Sequence, residues 1–274
     1  MLKKSLSAIL MTLFVLGSVG CSAKTQGTSA KDTIKIGYVG ALSGETALWG
    51  QAGFNGGILG RKVEIVEYDG KGDPLDSVNA LNKLIDQDKV VAVVGTNFSS
   101  CNIPMASIAD QKKIPLIATA ASSPFVTVDE AGKLHPYSFR IGFTDPFQGR
   151  VLAAYAYNQL NVKKAAIITN IADAYSMGIT EYLVEEYTKL GGVIVANEKA
   201  ASGDNDFRAQ LSKIKESGAE ALFIPWIYKD VALIAKQARD LGIESVFIGA
   251  DGWDSQDLPE LAGEAIEGGY FCSR

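Results

Sequence analysis

From residue 33 onward the chain repeats one theme. A short run rich in valine and isoleucine meets a glycine, aspartate or proline, and a helical stripe follows. The runs are 34–39, 63–66, 90–94, 115–117, 165–169, 193–195, 221–224 and 246–248. Apolar runs this short, with no polar face, are how strands read when helices cover both sides of a parallel sheet. Between them, Leu75, Val78, Leu81, Leu84 and Ile85 share a helical face behind Asp73-Pro74, a cap followed by a first-turn proline. Ile179, Tyr182, Leu183, Tyr187 and Leu190 form a second stripe, ended by Gly191-Gly192. Phe207, Leu211 and Ile214 form a third, ended near Gly218. Val231, Ile234, Ala235, Ala238 and Leu241 form a fourth, stopped by Gly242. Alternation of this kind predicts an α/β fold built on doubly wound parallel sheets.

One segment interrupts the alternation. Residues 138–143 have strand character but lie between Pro136 and Pro146. This reads as the crossing from a first α/β lobe, 33–141, to a second, 142–266, joined by a hinge, with 267–274 starting a strand that returns to the first lobe. Two such lobes enclose a cleft, and ligands of parallel α/β sheets sit outside the carboxyl ends of the strands.

The first twenty residues read as an address. Lys3 and Lys4 precede an apolar run at 8–17, and small residues follow at Ser18 and Gly20. That is a secretory signal, too short for a stop-transfer span. Leu16-Gly17-Ser18-Val19-Gly20-Cys21 resembles a bacterial lipobox, with Ser18 where a leucine-like residue is usual. Lipidation at Cys21 is therefore expected, and with it an extracytoplasmic, membrane-anchored protein. The small polar stretch 21–32 reads as a flexible tether. The two remaining cysteines, Cys101 and Cys272, are far apart in sequence and are expected to be free thiols.

Several chemistries lack support. The net charge is −5 and no long basic run occurs, which argues against nucleic acid as a partner. The single histidine, His135, sits beside Pro136, a poor base for a catalytic triad. No nucleophile elbow, phosphate-binding glycine loop or zinc-spaced Cys/His set is present. No enzyme activity, cofactor or metal is expected.

Other features favour binding. Gly95-Thr96-Asn97-Phe98-Ser99-Ser100 follows one strand and precedes a helix through 104–110. Ala118-Thr119-Ala120-Ala121-Ser122-Ser123-Pro124 follows the next. Two hydroxylated loops beside free helix N–H groups can grip an anion, or their Ser and Thr residues simply cap helices. Asp251, in Gly249-Ala250-Asp251-Gly252-Trp253-Asp254, reads either as a counter-charge for an ammonium or as a turn aspartate. Trp49, Tyr175 and Tyr228 also follow strands and read as pocket walls or as core.

The strings Ile36-Gly37-Tyr38-Val39-Gly40-Ala41-Leu42-Ser43-Gly44, Ala47-Leu48-Trp49-Gly50, Gly57-Ile58-Leu59-Gly60-Arg61-Lys62-Val63-Glu64, Lys236-Gln237-Ala238-Arg239 and 249–255 resemble the substrate-binding proteins of branched-chain amino acid ABC transporters. That family has the type I periplasmic-binding-protein fold, in which two lobes close on a ligand. The resemblance implies that Ser99 donates to a ligand carboxylate and that Ala120 and Ser122, with Ala121 between them, hold the amino-acid head. It further implies that Asp251 pairs with the ammonium, and that Trp49, Tyr175 and the Tyr228 region wall the side chain. Ser176 replaces a usual glycine, and Ile227 stands where tyrosine is common. The family's helix before Gly57 is much shortened here, and the family continues past Arg274. The chain thus resembles a truncated, internally deleted member, with an incompletely covered first lobe as the expected consequence. The function implied is capture of a small amino acid and delivery to an ABC permease. Amides, urea or aromatic acids are the alternative ligands, and a ligand sensor is the alternative role.

Overall fold

The computed structural model describes residues 33–41, 57–58 and 61–273. The signal and tether, Cys21, Trp49, most of the shortened segment before Arg61, and Arg274 lie outside the described residues.

Two sheets carry the fold, and both belong to one compact unit. The first contains β1 (Thr33–Gly40), β2 (Gly57–Ile58), β3 (Arg61–Asp69), β4 (Ala92–Val94), β5 (Leu116–Ala118) and β6 (Ser138–Arg140), in the order β2-β3-β1-β4-β5-β6. β1 pairs with β4, β4 with β5 and β5 with β6, all parallel, and the short β2–β3 pair is antiparallel. The second sheet contains β7 (Lys164–Asn170), β8 (Val193–Ala200), β9 (Ala221–Phe223), β10 (Val246–Gly249) and β11 (Tyr270–Phe271), in the order β11-β10-β9-β7-β8. Its pairings are all parallel. Every run named from the sequence overlaps one of these strands, with residues 90–91, 115 and 224 falling just outside.

Among the described residues, the α-helices of the first lobe are α1 (Pro74–Asp86) and α2 (Ser99–Lys112). Those of the second are α3 (Asp145–Ala154), α4 (Ala174–Lys189), α5 (Arg208–Glu216), α6 (Tyr228–Asp240) and α7 (Asp257–Ala262). The Asp73 side chain accepts the Asp76 N–H at 2.9 Å, as its cap position predicts. α2 starts five residues before the expected proline and carries Pro104 inside it, at the loss of one intrahelical bond. α3 was not legible from apolar spacing, because its buried face is Asp145, Gln148, Gly149, Leu152 and Ala153. Gly149 lets α3 and α4 touch: a Cβ there would lie 2.7 Å from the Leu183 nitrogen.

Residues 270–271, expected to begin a return to the first lobe, instead pair with Ile248 and Gly249 as β11, the edge of the second sheet. Parallel pairing to β10 satisfies backbone groups at once, whereas a crossing would leave them unpaired.

Among the described residues, the second lobe holds the larger core. β7 is buried at six of its seven positions, whereas β3 is half-buried or exposed throughout, so hydrophobic stabilisation concentrates in the second lobe. Trp226 and Phe207 meet edge to face at 5.5 Å. The Trp226 indole N–H donates to the Ile168 carbonyl and that of Trp253 to the Ile224 carbonyl, both at 2.9 Å, so neither burial strands a donor. His135 Nδ1 lies 2.6 Å from the Asp110 carboxylate. Neither Cys101 nor Cys272 forms a disulfide in this structure.

Candidate functional site

Neighbouring strands β4 and β5 bring the two hydroxylated loops side by side. Thr96 Oγ1 accepts the Phe98 N–H at 2.8 Å. The Asn102 amide donates back to the Thr96 and Phe98 carbonyls at 2.6 and 2.9 Å, fixing the turn that starts α2 at Ser99. Ser99 Oγ accepts the Ser123 N–H at 3.1 Å across the loops, and the Thr119 hydroxyl donates to Asn97 Oδ1 at 2.8 Å. Ser99 is therefore a cross-loop residue rather than a cap. Its oxygen is used as an acceptor, which leaves its O–H to donate. Phe98, at the N-cap of α2, provides no side-chain cap, so the first-turn N–H groups have no partner from that side chain.

The second lobe contributes from two strand ends. Asp173 N-caps α4, accepting the Tyr175 N–H at 3.2 Å. The Tyr175 phenol oxygen accepts the Gly252 N–H at 2.9 Å, which clamps the ring over the turn after β10. Asp251 opens that turn, and its N–H donates to Gln148 Oε1 on α3 at 3.1 Å. The lobes are tied nearby, where the Asp145 N–H donates to the Ser122 carbonyl at 3.0 Å.

These ends converge. Asn97, Phe98, Ser99, Ala120, Asp173, Tyr175, Ile227, Asp251 and Gly252 line a small chamber of about 20 Å³ between the lobes. That volume holds about one water. Phe98, Asp173 and Ile227 also line a cleft of about 530 Å³, whose other walls include Lys71, Ser100, Asn170 and Lys229. The chamber is thus the inner end of a larger interlobe opening.

Its electrostatics are acidic. Asp145, fully buried at the first turn of α3, has its carboxyl pushed up to about 7. Burial is the main cause, and the charges of Asp251 and Asp173 add to it. The facing Ser122 hydroxyl and the Arg140 guanidinium oppose the rise. Burial also raises Asp173, partly offset by the Tyr175 and Ser176 N–H groups. Tyr175 is pushed well above the usual phenol range, first by burial and then by Asp251, so it stays protonated and keeps its O–H as a donor. Among the described residues, no cluster of His, Cys, Asp and Glu is arranged to hold a metal.

Of the residues singled out in the sequence, Ser99, Ala120, Tyr175 and Asp251 line the chamber. Ala121 and Ser122 are buried just behind it, Ala121 against Ala118 and Val126. Tyr228 is not brought to it: the ring packs into the second-lobe core with Phe207, Trp226 and Val231, and Ile227 takes the cleft position. Trp49 and Cys21 lie outside the described residues. Sequence reasoning missed Asp145 and Gln148. The helix-start signature Thr144-Asp145-Pro146 could have flagged α3, but nothing local reveals that its polar face turns inward.

Two facing α/β lobes with a polar chamber between their strand ends define a ligand-binding clamp. The model of a periplasmic binding protein family matches residues 33–274, and the chain belongs to that family, one of solute binders rather than enzymes. An amino acid binding protein of Pseudomonas aeruginosa is 30% identical, over 96% of this chain and 71% of that protein. The leucine-specific-binding protein of Salmonella typhimurium is 29% identical, over 93% and 70%. Among solved structures, a leucine binding protein of Thermotoga maritima superposes with a TM-score of 0.78 at 31% identity, over 87% of this chain and 69% of that one. The branched-chain amino acid transporter substrate binding protein of Streptococcus pneumoniae, in complex with isoleucine, gives 0.78 at 32%, over 87% and 70%.

Proposed function

We propose that the chain is an extracytoplasmic lipoprotein, anchored through Cys21, that captures a branched-chain type amino acid between its lobes and delivers it to an ABC permease. The observation carrying this reading is the convergence of Ser99, Ala120, Tyr175 and Asp251 on one interlobe chamber. A zwitterion needs an anion-binding end and a cation-binding end. The Ser99 hydroxyl and the α2 N-terminus supply the first, from the first lobe. Asp251 supplies the second, from the second lobe, with the Tyr175 O–H beside it. The Ala120 carbonyl and the Ser122 hydroxyl complete the head-group contacts. Ile227 offers an apolar wall toward the wider cleft, suited to an aliphatic side chain.

A chamber of about 20 Å³ is far smaller than an amino acid, so entry requires the lobes to part. The ligand then bridges the lobes, and its differential affinity for the closed form supplies the free energy of closure. The isoleucine-bound relative and the leucine-binding relatives support an aliphatic amino acid over an amide or an aromatic acid. A thermal-shift screen of the mature chain against the twenty amino acids, urea, short amides and aromatic acids tests the reading. Leucine, isoleucine or valine should raise Tm most. Stabilisation by amides or aromatic acids alone would overturn it.

A further inference from the structure

Four polar side-chain atoms crowd the seam where α3 meets the first lobe. Both carboxyl oxygens of Asp145, the Ser122 hydroxyl and the Gln148 amide nitrogen are fully buried, and none meets the full geometry of a hydrogen bond among the described residues, although the Ser122 hydroxyl faces the Asp145 carboxyl. Buried polar groups are almost always paired, so such a concentration marks a place where polarity serves something other than folding. The site described above uses none of the Asp145 carboxyl. Its position is nevertheless set firmly. The Asp145 N–H holds the Ser122 carbonyl, and the absence of a side chain at Gly178 makes room for the carboxyl, since a Cβ there would lie 2.5 Å from Oδ2. Gln148, one turn on, spans from Asp251 to the Cys272 thiol.

Resting on the amino-acid reading, we propose that Asp145 is a positioning residue for the ammonium end of the site, acting through Ser122, and that capture of an ammonium expels one proton from it. An ionised Asp145 can only accept, so it takes the Ser122 O–H and turns the lone pairs of Ser122 Oγ toward a cation. A protonated Asp145 donates instead, occupies a lone pair of Ser122 and turns the hydroxyl hydrogen outward, where it repels an ammonium. The groups facing Asp145 reinforce this coupling. Asp251 and Asp173 favour the proton when the site holds no cation, whereas an ammonium beside Asp251 cancels that field and the proton leaves to buffer. Arg140, which holds the Ser122 and Ser123 carbonyls, favours the ionised form in both states. Tyr175 stays a neutral donor throughout.

The test is calorimetry of the mature chain with isoleucine, in buffers of different ionisation enthalpy. At pH 6 the heats should show close to one proton released per ligand, falling toward none at pH 8.5. The wild-type affinity should rise about tenfold between pH 6 and 8. Asp145→Asn should abolish both proton release and pH dependence. Ser122→Ala should weaken binding and flatten the pH dependence, a response that a merely structural Asp145 would not produce. Tight wild-type binding with no proton release at pH 6 would overturn this inference and leave the amino-acid reading standing. Absence of amino-acid binding at every pH would overturn both.

Discussion

Asp145→Asn should make the folded chain more stable at pH 8 and less stable near pH 4. The native carboxyl titrates at about 7 against an ordinary value of 3.8, a gap of about three pH units. Each unit corresponds to about 1.4 kcal/mol, so the linkage amounts to at most ~4 kcal/mol. The sign follows from which state holds the proton. Between pH 4 and 7 the unfolded chain has ionised at this residue and the folded chain has not, so the contribution of Asp145 to stability falls as pH rises and has been lost in full above about 7. Asparagine has no proton to lose and escapes that penalty. Its amide must still be buried, which returns about 1–3 kcal/mol. A net gain of about 1–3 kcal/mol at pH 8 is therefore expected, turning into a loss of about 1–3 kcal/mol near pH 4, where the amide cost remains and the linkage is absent. Urea unfolding followed by circular dichroism, at half-unit steps of pH, measures it. The difference between the two proteins isolates Asp145 from every other titrating group. Two stability curves that stay parallel from pH 4 to 8 would refute the buried, proton-holding carboxyl.

Three further outcomes follow from the geometry. Ser99→Ala removes the acceptor of the buried Ser123 N–H and the expected carboxylate donor, and should weaken amino-acid binding by about 1–3 kcal/mol in calorimetry and lower Tm measurably as well. Gly149→Ala places a methyl 2.7 Å from the Leu183 nitrogen, and should destabilise the α3–α4 contact by about 1–3 kcal/mol in urea unfolding, whereas an unchanged midpoint would mean that the helices separate freely. Cys21→Ser should move the protein from the membrane to the soluble fraction on cell fractionation, and retention would contradict the lipid anchor.

The sheets were legible because buried parallel strands leave apolar runs that few other structures produce. The runs at 165–169 and 221–224 correspond to β7 and β9 almost residue for residue. α1 was legible because Asp73, Pro74 and a clean apolar stripe all indicate the same helix. α3 was hidden for the opposite reason. Its inward face carries Asp145, Gln148 and Gly149, and a polar inward face gives no apolar period. The end of the chain misled because two residues of strand, Tyr270 and Phe271, do not specify which sheet they join. At the site, strand-end position brought Ser99, Ala120, Tyr175 and Asp251 within reach of the sequence. Tyr228 and Ile227 show the limit: adjacent residues at the start of a helix point to opposite surroundings, and only the packing of α6 decides which one faces the cleft.

Titration calorimetry of isoleucine into the mature chain and its Asp251→Ala variant, at one pH and salt, bears most directly on the account. One ligand should bind per wild-type chain. The variant should bind more weakly by about 2–5 kcal/mol, because the ligand's ammonium loses its counter-charge. Equal affinity in both proteins would place the amino-acid head elsewhere and contradict the zwitterion clamp.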